Sequence, residues 1–315
     1  MLLGFDIGGT KCAVITATYK NGEIQLLHKE KCPTDLTIAP EAMLEKLMEM
    51  ADRLVAGGEV EAIGISCGGP LDSRKGLILG PPNLIGWNYV EVVKIVEAHY
   101  GVKAHLQNDA NACAVAEWKF GAGKGAENMI FLTFGTGMGA GLILNGQLYA
   151  GTNDNAGEVG HIRLDKMGPV GYGKAGSFEG FCSGGGIAQL GYTLALEQIQ
   201  QGKFCGYFTS EMKKEDISAK SIAEAAEQGD ETALRVYALC GAYLGQALSM
   251  LIDILNPQKI VLGSIFTRAQ KLLWAETEKA IRREALPQAA ACCEILPAGL
   301  GESIGDYAAI ATALL

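Results

Sequence analysis

The sequence has little positive charge and no block of basic residues. Its 26 lysines and arginines are outnumbered by 35 aspartates and glutamates, so the formal net charge is −9. Because nucleic-acid binding needs cations that neutralise phosphates, this balance argues against a nucleic-acid partner. The sequence also lacks a basic leader with a small-residue cleavage site after Met1, and any run of about 18 apolar residues. We therefore expect no secretory signal and no membrane partner.

The cysteines have no regular spacing that would predict a disulfide framework or a metal cluster. They are odd in number and scattered along the chain, at positions 12, 32, 67, 113, 182, 205, 240, 292 and 293. We interpret them as free thiols of a cytoplasmic protein, most of them packed as small apolar side chains.

Glycine, in contrast, is abundant. The chain has 42 glycines but only 9 prolines in 315 residues, whereas glycine makes up about 7% of an average protein. There is no collagen-like period, and 49% of the residues are hydrophobic. We therefore expect a folded chain of about two domains, with glycine turns that let the backbone approach a ligand closely.

The order of apolar segments predicts an α/β fold in two parts. Three strands open the chain, with a hairpin turn at Asn21-Gly22, and a helical periodicity follows over 40–56. Strands and helices start again near residue 128, with a second hairpin turn at Asn145-Gly146. We predict two lobes around a cleft, 1–117 and 118–302, with a final helix over 303–315 that joins the first lobe.

Two glycine-rich turns between strands could bind phosphate. The first is Asp6-Ile7-Gly8-Gly9-Thr10-Lys11, whose backbone N–H groups could surround a phosphate while Asp6 holds Mg²⁺ through water. The second is the segment 134–141, at the matching place in the second part. An ordinary hairpin turn is the alternative for the first motif, and a glycine run like the second is weak evidence by itself. The role of Lys11 stays open.

Asp109 is a candidate general base. It follows a strand and precedes an apolar helix in the sequence Gln107-Asn108-Asp109-Ala110-Asn111. A carboxylate there could take the proton from an attacking hydroxyl. The alternative is a helix N-cap, for which Asn and Asp are typical, and both roles can coexist in neighbouring residues.

Acidic residues and a histidine in the glycine-rich segment 150–186 are suited to a polyol. Glu158 and His161 lie in Gly157-Glu158-Val159-Gly160-His161, and Glu179 follows in a region with little predicted regular structure. Each carboxylate can accept hydrogen bonds from two hydroxyls, although a lone histidine is more often structural. Glycine turns at 184–186 and around Gly263 could let an adenine ring approach the backbone.

These motifs, in this order, resemble the ROK family of sugar kinases and repressors, which has the actin/hexokinase/Hsp70-like fold. The resemblance covers almost the whole chain. It rests on the segments 6–11, 68–72, 82–87, 108–111, 135–141 and 157–161.

The resemblance implies a two-lobed, actin-like (ribonuclease H-like) fold with ATP and sugar in the interlobe cleft. Asp109 would be the catalytic base. The sugar contacts would be Gly69, Asn83, Asn108, Glu158, His161 and Glu179. ATP with Mg²⁺ would be bound by Asp6, Gly8, Gly9, Thr10, Lys11, Gly135, Thr136, Gly137, Gly139, Gly185 and Gly263. A homodimer is also implied.

The sequence departs from the family at the cysteine cluster that binds zinc after the Gly-Glu-x-Gly-His motif. The corresponding segment, 168–179, contains no cysteine. Cys182 and His161 cannot make a closed four-ligand site, so we predict no structural zinc. His161 and Glu179 must then be held by other partners.

We therefore predict an ATP-dependent kinase that phosphorylates a hexose at the 6-hydroxyl and resembles glucokinase. N-acetylmannosamine, N-acetylglucosamine, fructose and allose are alternative substrates, and polyphosphate is an alternative donor. A sugar-sensing protein without catalysis is an alternative from another class. The repressors of the family carry an N-terminal helix-turn-helix extension, whereas this sequence starts at the first strand, so we do not expect a repressor.

Overall fold

The computed structural model describes residues 1–315 as two compact units. The first contains residues 1–127, 141–156 and 299–315, and the second contains 128–140 and 157–298. These limits differ from the predicted division at residues 118 and 302, chiefly because the hairpin around Asn145-Gly146 belongs to the first unit.

The chain contains fifteen strands and ten α-helices. The strands are β1 (Leu2–Ile7), β2 (Lys11–Lys20), β3 (Glu23–Pro33), β4 (Ala62–Cys67), β5 (Leu71–Asp72), β6 (Leu77–Leu79), β7 (Asn88–Val90), β8 (Ala104–Asn108), β9 (Met129–Leu132), β10 (Ala140–Leu144), β11 (Gln147–Leu148), β12 (Val170–Gly171), β13 (Lys174–Ala175), β14 (Lys259–Leu262) and β15 (Glu294–Pro297). The helices are α1 (Pro40–Val55), α2 (Val92–Tyr100), α3 (Asp109–Phe120), α4 (Phe178–Phe181), α5 (Gly184–Gln200), α6 (Ala219–Glu227), α7 (Glu231–Leu255), α8 (Ile265–Glu284), α9 (Pro287–Ala290) and α10 (Ile304–Thr312).

Both predicted hairpin turns are confirmed. Asn21 and Gly22 join β2 to β3 with φ of 53° and 83°, and Asn145 and Gly146 join β10 to β11 with φ of 53° and 69°. Two successive residues with positive φ give the turn whose twist matches antiparallel strands, which is why Asn-Gly predicts it.

The sheet of the first unit has the strand order β3-β2-β1-β4-β8. Strands β1, β4 and β8 are parallel, and their last residues Ile7, Cys67 and Asn108 are aligned in register. Consequently the segments that follow these three strands all leave the same edge of the sheet.

Helix α10 lies directly on this sheet because one strand residue has no side chain. A Cβ on Gly64 of β4 would overlap the carbonyl oxygen of Ala309. Ala309 and Ile310 pack with Leu2 and Ile15 in a buried apolar cluster. The last segment of the chain therefore completes the core of the first unit.

The second unit is built around three parallel strands, with β14 between β9 and β15. Its long helix α7 packs against α5, α6 and α8. By length and composition α7 could cross a membrane, but 50% of its most apolar window is buried within the protein. A core helix has this apolar composition because several of its faces are covered.

A buried carboxylate ties the end of α3 to the C-terminal segment. Glu117 is 0% exposed. Its Oε2 accepts the N–H groups of Ala122 at 2.8 Å and Gly299 at 3.0 Å, and its Oε1 accepts the N–H of Leu300 at 2.9 Å. Three backbone donors of the first unit therefore depend on one side chain.

Replacing Glu117 with alanine should destabilise the first unit strongly. The three N–H groups would lose their partner in a buried place, which we expect to cost about 3 kcal/mol or more of the free energy of unfolding. Urea denaturation followed by circular dichroism would measure it. The control is Glu49→Ala on the exposed face of α1, expected to change the value by less than about 0.5 kcal/mol. Equal stabilities of the two variants would contradict the assigned role.

Candidate active site

The first unit brings most of its predicted site residues to one edge of its sheet. Asp6 is next to the end of β1, Gly69 follows β4, and Asn108 ends β8. Because these three parallel strands are aligned in register, the residues meet at their carboxyl ends. In α/β sheets this edge is where ligands bind.

The first glycine-rich turn is tightly closed and lies against Asn83. The N–H of Gly8 donates to the carbonyl of Lys11 at 3.2 Å, and Thr34 Oγ1 donates to the carbonyl of Gly8 at 2.5 Å. A Cβ on Gly9 would overlap the carbonyl oxygen of Asn83. Thr10 and Lys11 are exposed at the turn. Gly9, which is predicted to bind phosphate, and Asn83, which is predicted to bind sugar, are thus neighbours within this unit.

The side chains of Asn108 and Asp109 make different hydrogen bonds at the start of α3. Asn108 Oδ1 accepts the N–H of Asn111 at 2.8 Å, so the N-cap interpretation is confirmed for Asn108. Asp109 Oδ1 accepts the N–H of Ala110 at 2.8 Å, and its Oδ2 has no protein partner. Gly69 lies near the Asn108 amide, since a Cβ there would be 3.9 Å from Nδ2. Capping therefore leaves one Asp109 oxygen available.

Two carboxyls at this edge, Asp6 and Asp109, have raised pKa values, chiefly because of burial. Burial, and then the charges of Asp306 and Asp109, raise the pKa of Asp6 to about 6. Asp109 is open to solvent on one side, but the protein around the rest of the carboxyl removes enough water to raise its pKa too, against the opposing effect of the Ala110 N–H.

An ion pair behind Asp6 was missed from the sequence. Lys29 of β3 pairs with Asp306 of α10, which is 8% exposed. Lys29 and Lys11 act on Asp6 in the opposite sense to the neighbouring carboxylates and lower its pKa. The available signal was Asp306 itself, a lone acidic residue in the apolar helix Ile304–Thr312.

The second glycine-rich turn is anchored to the start of α5. The N–H of Gly135 donates to the carbonyl of Gly137 at 3.0 Å, and the N–H of Gly139 donates to Thr133 Oγ1 at 3.0 Å. Thr136 is exposed at the tip. The N–H of Gly184, the first residue of α5, donates to the carbonyl of Gly135 at 2.8 Å.

The predicted adenosine residues lie on the elements that support this second turn. Gly185 is exposed in the first turn of α5, whose N-cap Ser183 accepts the N–H of Gly186 at 3.0 Å. Gly263 is buried at the end of β14, next to the Phe131 ring. Open space at Gly185 would let a flat ring approach the backbone.

The predicted sugar residues of the second unit lie on a 3-10 helix and on α4. Glu158 is exposed just before the 3-10 helix Val159–His161, and its carboxylate makes no hydrogen bond. The N–H of Phe178 donates to the carbonyl of Ile162 at 2.8 Å, which brings α4 beside this helix. Glu179 Oε2 accepts the N–H of Met138 at 3.0 Å. Glu179 is therefore next to the second glycine-rich turn.

The hairpin β12–β13 contacts His161. This hairpin lies in the segment 168–179, which contains no cysteine that could bind zinc together with the histidine. The ring of Tyr172 lies edge-on to the ring of His161, with centroids 5.3 Å apart. Lys174 Nζ donates to the carbonyl of His161 at 2.7 Å. Gln189 of α5 binds both the N–H and the carbonyl of Val170 at 3.1 and 2.9 Å. Sequence reasoning missed Tyr172 and Lys174, although an aromatic residue between Gly171 and Gly173 was a signal.

No group of three or more His, Cys, Asp and Glu side chains is arranged to hold a metal ion. Cys182 is buried, with its sulfur 4.0 Å from the sulfur of Cys240 and 3.6 Å from the Cys240 carbonyl. Magnesium in kinases does not need such a group, because it takes one or two carboxylates together with the substrate phosphates. Asp6, a carboxylate whose pKa is raised by burial and then by the charges of Asp306 and Asp109, fits that requirement because a cation would stabilise its ionised form.

The ROK family model matches residues 2–314. The chain belongs to the ROK family. It is 33% identical over 312 residues to a glucokinase of Halalkalibacterium halodurans, covering 96% of this chain and 92% of that protein. The crystal structure of a ROK glucokinase from Streptomyces griseus, in complex with glucose and AMPPNP, superposes with a TM-score of 0.77 at 28% identity and 99% coverage of both chains.

Repressors of the family are also similar to this chain. The Escherichia coli regulator NagC is 30% identical over 260 residues, which cover 82% of this chain and 62% of NagC. The predicted fold class, a two-lobed actin-like α/β fold, is confirmed by the ROK kinases of known structure.

The raised pKa of Asp6 predicts that the free protein loses stability as pH rises. Well below the ordinary pKa of 3.8 the carboxyl is protonated in both states. Between about pH 4 and pH 6 it ionises more readily in the unfolded chain, which lowers the free energy of unfolding by up to about 2–3 kcal/mol. Asp6→Asn should remove this loss.

Urea denaturation of both proteins at pH 4 and pH 7.5, without divalent cations or nucleotide, would test this. The variant should gain stability over the parent only at the higher pH. Asp35→Asn, an exposed carboxylate whose pKa is lowered by hydrogen bonds from Thr37, should show no such gain. A parent–variant difference that stays constant with pH would contradict the prediction.

Proposed function

We propose that this ROK protein is an ATP-dependent sugar kinase that phosphorylates a hexose at its 6-hydroxyl, with glucose as the first candidate. The observation that carries the proposal is Asp109, whose free oxygen lies at the same sheet edge as the Gly8-Gly9 turn. Similarity to glucokinases over almost the whole chain supports the reaction class. A base beside a phosphate-binding turn is what phosphoryl transfer to a hydroxyl requires.

Asp109 accepts the proton of the sugar 6-hydroxyl in this mechanism. The hydroxyl oxygen attacks the γ-phosphorus, the new O–P bond forms, and the bond to the bridging oxygen of the β-phosphate breaks, so that ADP leaves with that electron pair. Loss of water around part of the carboxyl raises the pKa of Asp109, which makes it a better proton acceptor than an aspartate with its ordinary pKa. The Ala110 N–H keeps its carboxyl oriented.

We assign phosphate binding in the first unit to the Gly8-Gly9 turn, with Thr10 and Lys11 as donors, and in the second unit to the Gly135–Gly139 segment, with Thr136 as a donor. The N–H groups of Gly8, Gly135 and Gly139 donate within the turns, so the remaining N–H groups are the ones that can bind phosphate. Mg²⁺, held by Asp6 through water, would neutralise charge on the phosphates. Gly185 and Gly263 bind adenosine. Thr10, Lys11 and Thr136 are exposed, and a Cβ on Gly185 would meet no atom within 4 Å, which supports the assignment.

We assign sugar binding to Gly69, Asn83 and Asn108 in the first unit, and separately to Glu158, His161 and Glu179 in the second unit. These groups recognise hydroxyls that many hexoses share, so N-acetylhexosamines, fructose and allose remain alternative substrates. A panel of sugars with ATP and Mg²⁺, in an assay coupled to ADP release, identifies the substrate.

Replacing Asp109 with asparagine should lower kcat by about 10²- to 10⁴-fold, because the amide cannot accept the proton. Sugar binding should persist, and the rise in melting temperature when sugar is added would measure it. Glu45→Gln, on the exposed face of α1, is the control and should keep parental turnover. Near-normal turnover by the Asp109 variant would overturn the mechanism.

The same panel separates the other classes. Sugar-dependent stabilisation with no ADP release from any sugar would point to a sensor rather than an enzyme. Turnover with polyphosphate that exceeds turnover with ATP would identify a different phosphoryl donor.

Turnover should depend on magnesium and should not depend on zinc. We expect EDTA to abolish turnover and added Mg²⁺ to restore it fully, because only the phosphates and Asp6 need the ion. Elemental analysis of the purified enzyme should find no stoichiometric zinc, since the segment 168–179 has no cysteine. Stoichiometric zinc, or recovery that needs Zn²⁺, would contradict this prediction.

We also place the kinase in the cytoplasm, as a homodimer. The nine cysteines are all free thiols, which suits a reducing compartment. The dimer follows only from resemblance to the family, and light scattering on the purified protein would test it.

A further inference from the structure

Glu179 joins three segments of the second unit. Its Oε2 accepts the N–H of Met138, in the second glycine-rich turn, at 3.0 Å. It is in the first turn of α4, which begins at the N-cap Ser177, and Ser177 Oγ accepts the N–H of Gly180 at 3.1 Å. The only backbone donor that the Glu179 carboxylate binds is therefore one that belongs to the turn.

Three glycines surround this side chain. A Cβ on Gly137 would lie 2.8 Å from Glu179 Oε2, and a Cβ on Gly171 would lie 2.8 Å from Glu179 Cβ. A Cβ on Gly160 would lie 3.3 Å from Glu179 Cβ. The backbone of three separate segments thus approaches Glu179 closely, which limits the rotamers open to it.

The second oxygen of the carboxylate is unused. Glu179 Oε1 makes no hydrogen bond to the protein, and the residue is only partly buried. A carboxylate can accept hydrogen bonds at both oxygens. A hydroxyl could therefore bind Oε1 while Oε2 stays bonded to the Met138 N–H.

We propose that Glu179 is a positioning residue for the nucleotide turn as well as a sugar ligand, and that it couples sugar binding to nucleotide binding. A sugar hydroxyl at Oε1 restricts the carboxylate, and the restricted carboxylate holds the Met138 N–H and with it the turn. The coupling is positive, and it is reciprocal by thermodynamic linkage. The inference rests on the proposed function, since it takes the turn as the phosphate site and the sugar as a Glu179 ligand.

The first test measures AMPPNP affinity with Mg²⁺ by calorimetry, in the absence of sugar. Glu179→Ala removes the acceptor and should weaken AMPPNP binding about fivefold to tenfold. Glu179→Gln keeps an oxygen that can accept the Met138 N–H, and should stay within about twofold of the parent. Glu211→Ala, at an exposed glutamate outside the proposed binding residues, is the control and should leave AMPPNP affinity unchanged.

The second test uses the parent protein alone. Saturation with glucose, or with the sugar of highest turnover in the panel, should tighten AMPPNP binding and slow hydrogen exchange of the Met138 amide. This measurement does not depend on whether the Glu179→Ala protein folds.

The outcomes separate the inference from the proposed function. Equal AMPPNP affinity of the parent and Glu179→Ala without sugar, or no effect of sugar on Met138 exchange, overturns the coupling while the kinase assignment stands. A parent protein that binds no AMPPNP and phosphorylates no sugar overturns the kinase assignment itself.

Discussion

The hydrogen-bonded register of β1, β4 and β8 is the constraint on which the first unit depends. It aligns Ile7, Cys67 and Asn108, so the segments that follow three separated parts of the sequence meet at one edge. Side chains alternate between the two faces of a strand, so a slip of one residue would move Asp6 to the opposite face. Gly64 protects the register indirectly, because it gives α10 room to lie on the sheet.

The candidate site concentrates negative charge in a protein that is already acidic. Asp306 and Asp109 both repel Asp6, and an ionised carboxylate is costly where water is displaced. Lys29 compensates Asp306, and the Ala110 N–H compensates part of Asp109. The negative charge that is least compensated is that of Asp6. Functional sites commonly keep such unfavourable arrangements because a substrate or an ion relieves them.

Local features were predictable from the sequence, and long-range contacts were not. Asn21-Gly22 predicts its hairpin because the turn needs two residues that tolerate positive φ, and the predicted helix over 40–56 lies within one residue of Pro40–Val55. The small sheet of β5, β6 and β7 was missed, since strands of two or three residues show no periodicity. Glu117, and the bond between Glu179 and Met138, join residues far apart in sequence, so only the tertiary structure identifies their partners.

The discontinuity of the first unit has a consequence for how the protein is made. Residues 299–315 follow the whole of the second unit along the chain, yet they cover the first sheet and supply two donors to Glu117. A ribosome that has completed the first 127 residues has therefore not produced the helix that covers one face of the first sheet. Domains usually fold in the order in which they are synthesised. Here the first sheet must wait, with the face that α10 covers exposed, until the second unit has emerged.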